Sequence, residues 1–379
     1  MKQEKAYVSF MERFMRGEAP SEQEFLFHFE HQNGAPEHAL APGARAPDLA
    51  LPDQAGAMRT LRSLAGAKGL LLVFARSAYW CPYCRNQLAE LNVQLNKVRD
   101  SGFNVVAITS DVVQRIQAFS LEHAIGYPIL SDTQGAAINA FGVLNDKIPP
   151  NGLQGSAPLP HPGHFLLSPD MRVLAREFTG DLRHRPSATV LIAETSETVD
   201  GGANISAETV KAHIALSATH AYGGQELAVT AKLEIADGAH VYAPDVQAPY
   251  TPVSITFEND EGLLAAQSFA FPIGEKLPLE ALNDSLPVLS GRVVGHGRIR
   301  LRWSPPRSPF AQLADFVASQ AIRPGRYDLR GALHFQACTS TECLPPTTLA
   351  FSLPLEVLPH AKAGEPVKWG DFEIPPPTE

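Results

Sequence analysis

"LLLVFARSAYWCPYCRNQLAELN", residues 70–92, runs an uninterrupted apolar segment into two cysteines and then into helical spacing. Leu70 to Phe74 carry no polar residue, the pattern of a short strand buried on both faces. Leu88 and Leu91, with Leu95 beyond, recur at helical intervals, so a helix is predicted to open at Cys81. Pro82 falls in its first turn, where a missing N–H costs no hydrogen bond. A helix N-terminus turns unsatisfied N–H groups and positive partial charge toward the first sulfur. That lowers its pKa below the free value of about 8.5. Cys81 is therefore expected to be the nucleophile, and Cys84 the thiol that closes a small disulfide and releases whatever Cys81 has bound. Trp80 is expected to shield the pair. Arg76 either adds positive charge or is a solvated surface residue. Two other uses stay open: a structural disulfide, which would close too small a loop to stabilise much, and a zinc site, which would need further ligands.

Composition narrows the class. The chain has 379 residues, enough for two or three domains that bury cores without disulfide staples. A formal net charge of −9 with the 31 Lys and Arg scattered offers no basic field, so no nucleic-acid partner is expected. The longest apolar run, "GLLLVFA", is far short of the roughly 20 residues a membrane helix needs, so no membrane span is expected. The opening "MKQEKAYVSFMERFMRG" has no apolar h-region or small-residue cleavage site. A cytoplasmic location is expected for the chain as it stands, with a periplasmic one as the alternative if the native start lies further upstream. All 4 cysteines fall in two close pairs, Cys81/Cys84 and Cys338/Cys343. Scarcity plus pairing points to redox or metal chemistry rather than a stapled secreted scaffold.

Along the chain, residues 1–40 read as a helical N-terminal arm. Tyr7, Phe10, Met11 and Phe14 lie on one helical face, and Ser21 with Glu24 makes a capping box. Residues 41–198 alternate strand and helix: a strand at 69–75, the helix from Cys81, a strand at 104–110, helices over 111–124 and 135–142, and paired strands at 164–169 and 172–178. That order is α/β. Residues 190–208 have the composition of a linker. Over 199–360 the period changes to two, as in Leu227, Val229, Ala231, Leu233 and Ile235 or Leu349, Phe351, Leu353, Leu355 and Val357. This is the pattern of an antiparallel β-sandwich. Residues 361–379, ending "EIPPPTE", read as a loosely attached tail.

The 70–92 stretch, with "YPILSDTQGAAINAFGVLN" and "PHPGHFLLSP", resembles the thioredoxin-fold redoxins. It is most similar to the peroxiredoxin-like branch with a W-C-P-x-C motif in an alkyl-hydroperoxide-reductase/thiol-specific-antioxidant domain. The resemblance implies antioxidant reduction of a hydroperoxide or a protein disulfide, with thioredoxin or another dithiol as reductant. It also implies a cis-proline before the strand facing the cysteines, a position Pro162 matches. Two departures stand out. Ala78 occupies the place where these peroxiredoxins carry a hydroxyl residue, with Ser77 one place back. Leu71 to Phe74 offer no buried acid of the thioredoxin kind. His161 and His164, flanking Pro162, are either proton carriers or exposed loop residues.

"FQACTSTECLPP", residues 335–346, lies at the end of a predicted strand, so Cys338 opens and Cys343 closes a tight loop. A structural staple is one reading. With "ADGAHVYAPDVQAPYTPVSITF" and the sandwich pattern, the stretch resembles the immunoglobulin-like N-terminal domain of the thiol:disulfide interchange protein. There a hairpin cysteine pair receives electrons and hands them on. The resemblance matches Cys338 and Cys343 to that pair and Tyr242 to the tyrosine of its H-x-Y stretch, and it implies a periplasmic setting. Taken together, a thiol peroxidase or thiol-disulfide oxidoreductase is expected, with Cys81/Cys84 as the reacting dithiol and Cys338/Cys343 as a relay. A disulfide reductase or isomerase without peroxidase activity, and a redox-sensing or client-binding protein, are the alternatives. No metal or organic cofactor is implied, because the cysteines carry the electrons.

Overall fold

The computed structural model describes residues 32–148, 158–195, 202–259, 262–279, 284–303, 322–339 and 342–361. The two helices expected in the N-terminal arm, through residue 31, and the tail past residue 361 lie outside the described residues; 32–40 form turns and coil. The described residues fall into two compact units, one within Met1–Ile192 with Trp303 and Pro359 joined to it, the other within Ala193–Arg302 and Ile322–Leu358.

The first unit is α/β. A small hairpin, β1 (Ala50–Pro52) and β2 (Met58–Thr60), precedes β3 (Gly69–Phe74), α1 (Pro82–Val93), α2 (Leu95–Asp100), β4 (Phe103–Thr109), α3 (Val113–Glu122), β5 (Ile129–Ser131) and α4 (Ala136–Ala140). Then come β6 (Gly163–Leu167), β7 (Val173–Glu177), the short β8 (Arg185–Pro186) and α5 (Val190–Thr195). The sheet order is β5-β4-β3-β6-β7, with β3, β4 and β5 parallel and β6 and β7 antiparallel to their neighbours.

Strand β3 is central and buried throughout because the sheet is covered on both faces. The two-residue period sends Leu71 and Val73 into one apolar cluster, with Cys81, Cys84, Leu88 and Leu91, and Leu70, Leu72 and Phe74 into the other, with Phe141 and Phe165. The cysteine helix therefore lies on the odd-numbered face of β3. Leu95, expected on that helix, instead opens α2 after a break at Gln94, and is still buried. Parallel β3 and β4 end side by side, so the loop carrying Ser77 to Trp80 lies next to the residues that follow Thr109.

The linker expected over 190–208 is narrower. Val190, Leu191 and Ile192 bury their side chains in α5, and Ala203–Ser206 already pairs with the next strand.

The second unit is almost entirely β. Its strands are β9 (Ala203–Ser206), β10 (Val210–Leu216), β11 (His220–Ala221), β12 (Gln225–Ile235), β13 (Ala239–Tyr242), β14 (Ser254–Phe257), β15 (Leu264–Ala270), β16 (Glu275–Leu279), β17 (Asp284–Leu289), β18 (Arg292–Leu301), β19 (Gly325–Phe335), β20 (Ala337–Thr339) and β21 (Thr347–Val357). Two sheets, β15-β18-β12-β10-β9 and β11-β21-β19-β14, feed one apolar core through residues such as Leu227, Val229, Ile299, Leu333 and Leu353. Alternation along β12 and β21 places these side chains inward, as the period-two pattern requires. A third sheet, β16-β17-β13-β20, carries Tyr242 and Cys338. Among the described residues no helix is long and apolar enough to cross a membrane.

Gly69 opens β3 at φ +127°, and a Cβ there would stand 1.8 Å from the carbonyl oxygen of Leu167. Gly56, at φ +81°, has nothing within 4 Å of its Cβ position. Gly69→Ala is expected to cost at least ~2 kcal/mol in urea denaturation. Gly56→Ala is expected to cost about 1 kcal/mol. Equal losses would show that the β3–β6 contact is looser than described.

Candidate active site

Cys81 is the N-cap of α1, with extended backbone, and Pro82 follows in the first turn. The Cys84 N–H donates to Cys81 Sγ at 3.3 Å, the backbone contact that an N-cap side chain receives. Both sulfurs are buried thiols, Cys81 at 2% exposure and Cys84 at 0%. Trp80 is half-buried against the same cluster.

Arg76, one of whose readings was a solvated residue, is buried. Its guanidinium lies 4.9 Å from the Trp80 ring centre, and Nη2 donates to Gln32 Oε1 at 2.9 Å. Its charge acts on both thiols.

Burial pushes Cys81 up, reinforced by its hydrogen bond to Cys84 and that sulfur's charge. Cys84 meets the same burial. Against it stand the Cys81 hydrogen bond, Arg185, Arg76 and the Ser77 N–H, which together draw Cys84 down to about 5. Cys81 and Cys84 thus titrate as one pair, and Arg76 and Arg185 act on both sulfurs. The helix N-terminus and the Cys84 N–H favour charge on Cys81, and the Cys81 hydrogen bond and the Ser77 N–H favour it on Cys84.

Arg185, which sequence reasoning missed, acts electrostatically on both thiols. It is buried, and its Nη1 donates to the carbonyls of Asp181 and His184. Its Nε and Nη2 meet no hydrogen-bond acceptor among the described residues. Nothing in "DLRHRPSA" marks it, because it reaches the thiols only through the fold. Asp111 was missed as well. It is buried just past the end of β4 and accepts the Ser77 hydroxyl at 2.7 Å and the Ala78 N–H at 2.6 Å. The signal available was slight: an apolar strand ending in Thr-Ser-Asp.

His164 and His161 are buried rather than exposed, because β6 pairs directly with β3 and places His164 opposite Val73. His164 accepts from Gln87 Nε2 at 2.9 Å, and burial followed by Arg185 lowers it to about 3, so it is neutral. The proline expected to be cis is not. The His161–Pro162 bond is trans, and among the described residues the cis bond is Ala248–Pro249. His161 donates its N–H to the carbonyl of Val143, tying this segment to the α4 side of the sheet.

In the second unit, β20 pairs with β13, and Cys338 and Cys343 form an isolated bridge across their loop. Cys338 is buried and Cys343 exposed, both as free thiols. The Cys338 S–H donates to Tyr242 Oη at 3.1 Å, and the same hydroxyl lies 3.3 Å from Cys343 Sγ. Burial, then the Cys343 contact, pushes Cys338 up to about 12. Tyr242, fully buried, stacks on Tyr250 at 4.7 Å. The three predicted groups of this loop therefore do come together. Among the described residues no three His, Cys, Asp or Glu side chains group as metal ligands.

Residues 42–176 match the model of the AhpC/TSA family. Alkyl hydroperoxide reductase E of Mycobacterium bovis is 33% identical over 110 residues, covering 28% of this chain and 71% of that protein. Peroxiredoxin Bcp of Escherichia coli is 26% identical over 108 residues, covering 28% and 68%. Among solved structures, peroxidoxin BcpB from Mycobacterium tuberculosis aligns at 27% identity and a TM-score of 0.33, covering 37% of this chain and 86% of that one.

The charge placement has a direct readout in thiolate absorbance at 240 nm. A step near pH 5 is expected in the reduced protein, retained in Cys81→Ser and lost in Cys84→Ser. The reverse dependence would return the thiolate to Cys81.

Proposed function

This chain belongs to the AhpC/TSA family, and on that premise we propose that Cys81 and Cys84 reduce hydroperoxides, with Cys84 as the attacking thiolate and Cys81 as the resolving thiol. The chain is an enzyme of the thiol peroxidase or thiol-disulfide oxidoreductase class, in a thioredoxin-like fold followed by a largely β remainder. The observation that carries the reading is two buried thiols one helical turn apart at the start of α1, Cys81 Sγ accepting the Cys84 N–H, with Arg76 and Arg185 acting on both.

The Cys84 sulfur attacks one peroxide oxygen. An S–O bond forms, the O–O bond breaks, and the departing alkoxide or hydroxide takes up a proton to leave as alcohol or water. The peroxide gains two electrons and Cys84 becomes a sulfenic acid. Cys81 then gives up its proton and attacks that sulfur, forming the Cys81–Cys84 disulfide and releasing water. The unpartnered Nε and Nη2 of Arg185 favour this chemistry by stabilising negative charge in a buried site.

The second module is read as the immunoglobulin-like sandwich of residues 199–360, and the first as the W-C-P-x-C redoxin of residues 41–198. Cys343, exposed, is the entry thiol for electrons from a thioredoxin-like or other dithiol donor, and Tyr242 joins it to Cys338. Its thiolate attacks Cys81, displacing Cys84, whose low pKa makes it the better leaving group. Cys338 then attacks Cys343, releasing Cys81 as a thiol and leaving the second pair oxidised for the external donor.

Steady-state consumption of hydrogen peroxide and an organic hydroperoxide, with thioredoxin or dithiothreitol as donor, tests the first step. Turnover is expected in the wild type and a fall of at least about a thousandfold in Cys84→Ser. Dimedone is expected to label Cys84 in Cys81→Ser after one equivalent of peroxide. Label on no cysteine, with no turnover, would leave disulfide reduction as the activity.

The relay has its own measurement. The double variant Cys84→Ser/Cys338→Ser, mildly oxidised, is expected to yield a Cys81–Cys343 peptide pair on non-reducing digestion, at a rate independent of protein concentration. A concentration-dependent rate would place the partner thiol on another chain. Absence of the link would return Cys338/Cys343 to a structural staple.

A further inference from the structure

Asp111 touches neither sulfur, yet the loop before the cysteines is built on it. The residue follows β4 at the sheet edge where β3 also ends, and it is 2% exposed. One carboxylate oxygen accepts the Ser77 hydroxyl at 2.7 Å and the other the Ala78 N–H at 2.6 Å. Ser77 Oγ in turn accepts the N–H groups of Tyr79 at 2.9 Å and Trp80 at 3.1 Å. Three successive amides, residues 78 to 80, are thus gathered onto one carboxylate–hydroxyl pair. The Ser77 backbone N–H meanwhile serves the Cys84 sulfur. The loop is held from its other side by Arg85, whose Nη1 donates to the Ala78 carbonyl at 2.7 Å.

We propose that Asp111 is a positioning residue, which holds Ser77 and Ala78 so that the Ser77 N–H and the loop 77–80 are aligned for the reaction at Cys84. The proposal rests on the thiol chemistry described above and adds to it a group outside the cysteine motif. The chemistry of the contacts requires an acceptor at both oxygens. An ionised carboxylate supplies two, whereas an amide or a protonated acid directs an N–H or O–H into a place where two donors already converge. Ser131 Oγ fixes the Asp111 carbonyl at 2.7 Å, and the Asp111 N–H donates to Thr109 Oγ1 at 3.3 Å, so the side chain has little freedom to turn away.

The groups facing the carboxyl are Ser77 and Ala78 from the loop, Thr109 from β4 and, from α3, Arg115, whose guanidinium also lies 4.5 Å from the Tyr79 ring centre. Burial outweighs these contacts and raises the acid to about 6. The sign follows. Above that value the carboxylate holds the loop; as pH falls through it, the acid is protonated and the hold weakens. Loss of the Cys84 thiolate is a separate event near pH 5.

The test divides the rate constant for oxidation by hydrogen peroxide by the thiolate fraction read at 240 nm, from pH 7.5 to 5, in wild type, Asp111→Asn and Ser77→Ala. The wild-type quotient is expected to fall about tenfold across pH 6. Asp111→Asn is expected to be low and flat, about tenfold below wild type at pH 7. Ser77→Ala is expected to be similarly slow at pH 7 but to keep a step near pH 6, because Ala78 still meets the acid. A merely structural role would lower stability and rate while leaving the wild-type pH step in place in Asp111→Asn. A flat wild-type quotient, or an Asp111→Asn rate within twofold of wild type, overturns the proposal. If Asp111→Asn does not fold, wild-type rates in Ser77→Ala overturn it instead. Should no form react with peroxide, the peroxidase reading fails. The same series with iodoacetamide then decides on Asp111, whose role requires thiolate-normalised alkylation to rise across pH 6 in wild type and stay flat in Asp111→Asn.

Discussion

Two thiols and two guanidinium groups occupy one apolar-walled region above the centre of a five-stranded sheet, and the rest of the first unit serves to keep them there. Each group alone would be expensive to bury. A thiolate at 0% exposure is raised by desolvation, and a guanidinium with unpartnered N–H groups is costly in the same way. Placed together, a thiolate and the guanidinium charges offset one another. A small core of Leu88, Leu91, Phe119 and Tyr127 excludes the water that would screen this balance.

The sheet explains why these particular residues meet. Parallel strands β3 and β4 finish at the same edge, so the loop before α1 and the segment after Thr109 are neighbours by topology. Antiparallel β6 then brings His164 to the other side of β3, and the chain beyond β7 returns with Arg185. Four segments distant in sequence thereby supply Arg76 with the Cys pair, Asp111, His164 and Arg185.

The β unit follows a different economy. Its core is made by alternation on long strands, and its cysteine pair lies on the smaller third sheet, where Cys338 is covered and Cys343 is open. One tyrosine hydroxyl lies within hydrogen-bond reach of both sulfurs. The contrast between the two pairs is one of surroundings. The first is buried beside two guanidinium groups, whereas the second has a neutral hydroxyl and a solvent-facing thiol.

From the residues alone, the buried strand 70–74, the helix opening after Cys81, the alternating α/β order and the later change to a two-residue period could be read. Each is a local pattern of apolar spacing, and burial rewards that pattern wherever it occurs. The resemblance singled out Tyr242 with Cys338 and Cys343, and the β13–β20 pairing puts its hydroxyl within reach of both sulfurs. Helix position favoured Cys81 as the thiolate, Arg76 was an open choice, His161 and His164 stood between proton carriers and exposed loop residues, and the resemblance implied a cis Pro162. Only the tertiary structure put Arg185 and the Ser77 N–H beside Cys84, closed Arg76 and His164 off from water, and set Asp111 under the loop. The reason is physical: secondary structure answers to neighbours a few residues away, whereas an ionisable group answers to every charge and every missing water within several ångströms, and those are decided by how distant segments pack.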